Sequence, residues 1–321
     1  MYQRYYGLRE LPFELSPNPK YLYLTAQYRE ALSNLEYGLF SAKALTVLIG
    51  EAGTGKTTLL RAALESERCA NVRCVYLNNP ALTRAEFVSI LVSRFGLAPE
   101  VGESKAAFLE ALEPVLRKRR DQGEITALIV DEAQTLSYEL LEEVRLLANM
   151  ETSAEKLLPL VLAGQPELND RLEEQALRQL KQRIALRCEL TPLDLNETAA
   201  YIAARIRVAG GVPSKLFTRE AVTVIHEYSR GIPRIISVIC DNALVSSVAL
   251  DQQPVDRGIV VEVCRDFRLR GDTVGIDLTT VESPQSALPE HELSQAPSER
   301  SGETVGGTSK PHRFSLFGGR E

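Results

Sequence analysis

Apolar residues along this chain follow two rhythms. Short uninterrupted runs stand at Leu45–Ile49, Val72–Leu77, Ile125–Val130 and Leu157–Leu162, and Ile184–Leu190 repeats the form less cleanly. Runs of this length, rich in Val, Ile and Leu, predict strands buried on both faces. Between them the apolar positions recur every three to four residues, as on one face of a helix. Thr83 and Glu86 form a capping box ahead of FVSILVSRF, Ser104 is placed to cap KAAFLEALEPVLRKRR, and Ser137 to cap YELLEEVRLLANM. Strand and crossover helix alternate, the pattern of a parallel sheet flanked by helices.

Beyond Pro192 the strand-like runs stop. NETAAYIAARIRVA, REAVTVIHEYS and PRIISVICDNALVSSVAL carry helical periodicity, and a shorter fourth segment lies near 255–267. A small all-helical domain is therefore expected over 193–268, following an α/β domain with an N-terminal arm over 1–192. From about Asp272 the chain turns to Ser, Thr, Pro, Gly and Glu. Such a composition buries too little apolar surface to offset ordering entropy, so 269–321 is expected to be a disordered tail, with HRFSLFGGRE as its frayed end.

With 321 residues and 44% apolar content there is room for two packed domains. A net charge of -6 disfavours non-specific nucleic-acid binding, leaving DNA a secondary partner. The densest basic run, Arg117–Gly123, closes a helix, where cations complement the negative end of the dipole. No apolar run reaches the roughly 18 residues of a membrane helix, and the N-terminus lacks the apolar core of a secretion signal. A cytoplasmic chain without a transmembrane segment is the expectation. Cys69, Cys74, Cys188, Cys240 and Cys264 lack metal-ligand spacing and read as small buried hydrophobes. His226 has no evident partner and reads as a packed or surface histidine. Tyr2, Tyr5, Tyr6, Phe13, Tyr21 and Tyr23 read as an arm tied onto the body.

Chemistry enters at the end of the first strand. Gly50-Glu51-Ala52-Gly53-Thr54-Gly55-Lys56-Thr57 fits G-x-x-x-x-G-K-[ST] between a predicted strand and a predicted helix, which Thr58 continues. Glycines let the backbone wrap a phosphate with its N–H groups inward, and the helix start adds its positive end. Lys56 is then placed to neutralise the β and γ phosphates, and the Thr57 hydroxyl to ligate Mg²⁺. A second strand, ALIVDEAQ, ends in two acids. Asp131 is the candidate to hold the metal with Thr57, and Glu132 the candidate general base for a lytic water. No N-K-x-D element for reading guanine is present, so ATP is the expected nucleotide.

The acid pair, a polar residue after the next strand and a helical domain behind the sheet resemble the AAA+ ATPases. That resemblance implies a γ-phosphate sensor at Gln165 in LPLVLAGQPEL, where Asn, Thr or Ser is usual. It also implies a second sensor at Arg234 in the G-x-P-R motif of GIPRIISVICDNAL. In LRQLKQRIALRCELTPL it implies an arginine presented to a neighbouring subunit, Arg183 first and Arg178 or Arg187 as alternates, and hence self-association. YYGLRELPFELSPNPKYLYLTAQYREALSNLEYGL, VLAGQPEL and LKQRIALRCELTPLDLNETAAYIAARIRVAGG narrow the resemblance to the ExeA/GspA-type ATPases of bacterial secretion and of envelope or polysaccharide export. Components of such a system are the implied protein partners, with peripheral attachment to the inner membrane through one of them. Longer members continue into a membrane helix and a peptidoglycan-binding module; this chain continues into a polar stretch, as in relatives accompanying exosortase and exopolysaccharide clusters. In that family the segment before the first strand lies beside adenine, which makes Pro12 and Phe13 candidates for base contact.

Overall fold

All five strands form and all run parallel: β1 (Leu45–Gly50), β2 (Val72–Leu77), β3 (Ile125–Val130), β4 (Leu160–Gly164) and β5 (Ile184–Leu190). The computed structural model describes residues 2–78, 82–152 and 155–269. The strand order is β2-β3-β4-β1-β5, which inserts β4 between the phosphate-loop strand and the strand ending in the acid pair. β4 begins three residues later than its apolar run because Pro159 has no N–H to give a ladder. Leu157 and Leu158 stay buried ahead of it.

Alternation along β1 sorts the core into two layers. Leu48 faces helices α1 (Ala26–Phe40) and α2 (Lys56–Glu65), joined there by Ile129 and Val161. Val47, Leu128 and Leu162 face the opposite layer of α3 (Arg84–Phe95), α4 (Lys105–Asp121), α5 (Tyr138–Leu147) and α6 (Pro166–Glu173). Thr83 and Glu86 close the capping box on α3, while Ser104 and Ser137 accept the amides of Ala107 and Leu140.

After Leu193 come α7 (Leu195–Val208), α8 (Arg219–Ser229), α9 (Pro233–Ala249) and α10 (Arg257–Asp266). Their apolar faces, with Ile206, Ile225, Ile239 and Val260, continue the α1/α2 layer of the core. The N-terminal tyrosines dock on these helices. Tyr2 donates to Asp241, Tyr5 to Asp251 at 2.8 Å and Tyr6 to Ser247 at 2.7 Å. His226 Nδ1 pairs with Thr198 Oγ1 at 3.0 Å. The cysteines are free; four are buried and Cys74 is partly so. Leu269 still packs, donating to the Cys264 carbonyl at 2.9 Å; the rest of the stretch expected to be disordered, with HRFSLFGGRE, lies outside the described residues. Among those described, no helix is long and apolar enough to cross a membrane.

One junction ties the helical part to the sheet. Leu193 N donates to Gly231 O at 2.9 Å, and a Cβ on Gly231, whose φ is +74°, would sit 1.9 Å from the Leu193 carbonyl oxygen. Backbone cannot yield there as a side-chain tip would. Gly231→Ala is expected to lower unfolding free energy by about 3 kcal/mol, combining left-handed strain with overpacking. Denaturant unfolding checks this, and a loss below about 1 kcal/mol would contradict the tight junction.

Candidate functional site

β1 delivers the chain at Gly50, and α2 restarts it at Lys56 with Gly55 as the N-cap. Gly53 and Gly55 take φ of +85° and +98°, which side chains resist. No side chain caps α2, so its first amides are open to an anion. Thr54 donates to Glu51 O at 2.8 Å, and the buried Tyr28 hydroxyl donates to Thr54 O at 2.5 Å, holding the loop from both sides.

Lys56 is only 5% exposed. Its ammonium donates to Gly50 O at 2.7 Å and Glu51 O at 3.1 Å, the loop's own carbonyls. Burial lowers its pKa from the ordinary value, while the Glu132 and Asp131 carboxylates pull it back up. A desolvated cation held by neutral acceptors in a ring of open amides fits a polyphosphate.

Asp131 follows β3 and is 1% exposed. Its Oδ2 accepts from Thr57 Oγ1 at 2.7 Å and Tyr76 OH at 2.6 Å, and its Oδ1 from the Glu132 amide at 3.0 Å. Burial, then the Asp131 charge, push the Tyr76 phenol up, so it remains a donor. Thr57 and Asp131 thus present adjacent hard oxygens. No group of three His, Cys, Asp or Glu side chains among the described residues forms a metal cage. That donor set fits Mg²⁺, which is held by one or two protein oxygens together with substrate phosphates.

Glu132 takes left-handed backbone angles, φ 55° and ψ 37°. Its Oε2 accepts from Gln134 Nε2 at 2.6 Å and Gln165 Nε2 at 3.3 Å. Gln165 reaches it because β4 lies between β1 and β3, so the tip of β4 stands midway from phosphate loop to acid pair. Arg234, exposed at the start of α9, is drawn in through its backbone, whose amide donates to Gly53 O at 3.1 Å.

Gly53–Thr58, Glu132 and Arg234 line one cavity of about 380 Å³ together with Glu14–Asn18, Tyr21–Tyr23, Tyr201 and Arg205, while Asp131 and Gln165 are not among its lining residues. A nucleotide falls within the size such a cleft takes. Pro12 and Phe13 are not among its lining residues. Phe13 is instead buried edge-on against Phe217 at 6.1 Å, and Pro12 O accepts from Arg205 Nε at 2.5 Å, so the arm enters the cavity only from Glu14 on. Arg183 is exposed and does not line the cavity; Arg178 and Arg187 are exposed as well, Arg187 donating to Asn169. Sequence reading missed Tyr28, Tyr76, Gln134 and Arg205. Only Gln134, two positions after Glu132, carried a local signal.

Residues 40–172 match the family model described as an AAA domain. Over 258 residues the chain is 40% identical to general secretion pathway protein A of Aeromonas hydrophila, covering 80% of this chain and 47% of that protein. The chain belongs to the AAA-type P-loop NTPases. Over 149 residues this AAA protein is also 32% identical to the Mu-like prophage FluMu DNA transposition protein B of Haemophilus influenzae, covering 46% of this chain and 47% of that one. It spans about half the length of these curated relatives. Among solved structures, Cdc6p from Pyrobaculum aerophilum superposes with a TM-score of 0.60 at 17% identity, covering 79% of this chain and 70% of that one. The Aeropyrum pernix ORC2 protein gives 0.59 at 17%, covering 79% and 71%. Both share the fold.

Proposed function

We propose that this AAA protein binds ATP with Mg²⁺ and hydrolyses it, using the cycle to move the helical part, 193–268, against the α/β part, 1–192. One observation carries the reading: the Thr57 hydroxyl and Asp131 carboxylate lie 2.7 Å apart beside a buried Lys56 and open helix-start amides. In this reading Gly50 to Thr58 cradle the phosphates, and Lys56 donates to the β and γ oxygens. Thr57 and Asp131 hold the magnesium, which when bound offsets phosphate charge and orients the terminal group. Glu132 takes the proton of the attacking water, Gln165 reads the γ-phosphate, and Arg234 reaches over it from α9. ATP rather than GTP is supported by the missing guanine-reading element.

Arg183 is assigned to the neighbouring protomer's site. It is exposed and away from its own cavity, and its guanidinium makes no hydrogen bond or ion pair among the described residues. Turnover per chain should therefore rise with protein concentration. Arg183→Ala should keep nucleotide affinity while losing at least about tenfold in turnover. Steady-state hydrolysis across a dilution series reads both, and full turnover by the variant would remove Arg183 from the site.

The 40% identity with general secretion pathway protein A supports service to a secretion, envelope or exopolysaccharide export system, with the chain held at the inner membrane by a partner. A second reading, DNA-stimulated hydrolysis, draws on the 32% identity with a DNA transposition protein. It ranks lower because the chain is acidic and its densest basic run is internally engaged. Arg117 pairs with Glu113, Arg120 with Glu155, and Arg119 donates to Phe95 O. Salt-sensitive DNA binding with stimulated turnover would reverse that order.

A further inference from the structure

Gln134 spans two parts of the site with one amide. Its Nε2 donates to Glu132 Oε2 at 2.6 Å, and its Oε1 accepts the Gln165 backbone N–H at 3.1 Å. The orientation is forced, since a carboxylate cannot donate and a backbone N–H cannot accept. Gln165 sends its own side-chain amide to the same Glu132 oxygen at 3.3 Å. Beneath them Arg171 of α6 donates to Gln134 O at 2.7 Å and Leu136 O at 2.6 Å, fixing the turn that carries Gln134. The fit at β4 is close, because a Cβ on Gly164 would stand 3.0 Å from Gln134 Oε1.

Glu132 therefore does not choose its own direction. Its backbone sits in the left-handed region, which non-glycine residues hold only when surroundings impose it, and its carboxylate is aimed by two amides anchored on β4 and α6.

We propose that Gln134 is a positioning residue that locks the Glu132 carboxylate to the tip of β4, so that base and γ-phosphate sensor move as one unit. The inference rests on the hydrolytic reading above. A change at the Gln165 backbone is passed to Glu132 through the Gln134 side chain beside Gln165's own amide, and the water-activating carboxylate is set only when β4 is in register with the nucleotide. Gln134 does not line the cavity, so its effect is expected on turnover and not on binding.

The test is Gln134→Leu, which keeps the volume and removes both hydrogen bonds, made alone and together with Glu132→Gln. Steady-state ATP turnover, ADP affinity by titration and thermal midpoint are measured for each. The expected result is a fall in kcat of about tenfold or more with KM and ADP affinity within about twofold of wild type, as for loss of an interaction specific to the transition state. In the double variant Gln134→Leu should cost nothing beyond Glu132→Gln, since the two act as one unit. Restoring the amide one methylene shorter, Gln134→Asn, should recover less than Gln134→Leu loses. A Gln134→Leu protein with wild-type kcat, or one whose loss simply adds to that of Glu132→Gln, would overturn the assignment while leaving the hydrolytic reading intact. Absence of turnover in the wild-type protein across the dilution series would instead overturn both.

Discussion

Lys56→Ala is expected to abolish measurable Mg-ATP binding without unfolding the protein. In the free protein the Lys56 ammonium is almost wholly buried, and its hydrogen bonds go to two loop carbonyls. Such a cation costs desolvation that neutral acceptors recover only in part. Removing it should leave the thermal midpoint of the free protein unchanged or raised. With nucleotide the balance reverses. Two charge-assisted hydrogen bonds to phosphate oxygens, at about 1.5 kcal/mol each, amount to more than a hundredfold in Kd. The measurement is a pair of thermal melts with and without Mg-ATP. Wild type should gain about 2.7 kcal/mol at a ligand concentration a hundred times its Kd, and the variant less than about 0.4 kcal/mol. Equal gains would show that the anion is bound elsewhere.

Glu132→Gln is expected to separate binding from chemistry. The new amide keeps the size of the carboxylate, and its oxygen can still accept from Gln134 and Gln165, so the cavity wall survives. What is lost is the proton acceptor. General-base catalysis contributes about a hundredfold to ten-thousandfold, so single-turnover hydrolysis should fall by at least about two orders of magnitude while nucleotide affinity stays within about threefold. A variant that hydrolyses at the wild-type rate would move the base to another residue, and one that fails to bind would recast Glu132 as structural.

How much of this could be read from residues alone follows from distance along the chain. The phosphate loop was legible because one unbroken stretch holds all its parts and the strand and helix that frame it have opposite apolar periods. Asp131 and Glu132 were legible for the same reason, standing directly after a strand buried on both faces. The start of β4 was misplaced because Leu157 and Leu158 are as apolar as the strand they precede, and Pro159 decided the boundary. Tyr76 was silent because its role exists only once β2 is paired with β3, which brings its hydroxyl to Asp131 across 55 positions of sequence. The arm shows the same limit. Pro12 and Phe13 stop just short of the cavity, by two positions and one, because Phe13 is claimed by Phe217 and Pro12 by Arg205, roughly two hundred residues later. Gln134 lay in plain view beside Glu132, but its second partner, the Gln165 amide, depends on the strand order.

The central claim is that a cradle of amides around Lys56, faced by Thr57 and Asp131, grips a magnesium-bound triphosphate. Isothermal titration of the wild-type protein with ATP, in matched buffers containing Mg²⁺ or a chelator, tests it most directly. The account predicts saturable binding of one nucleotide per chain that weakens at least tenfold when the metal is withdrawn; no heat of binding from folded protein, or affinity indifferent to magnesium, would contradict it.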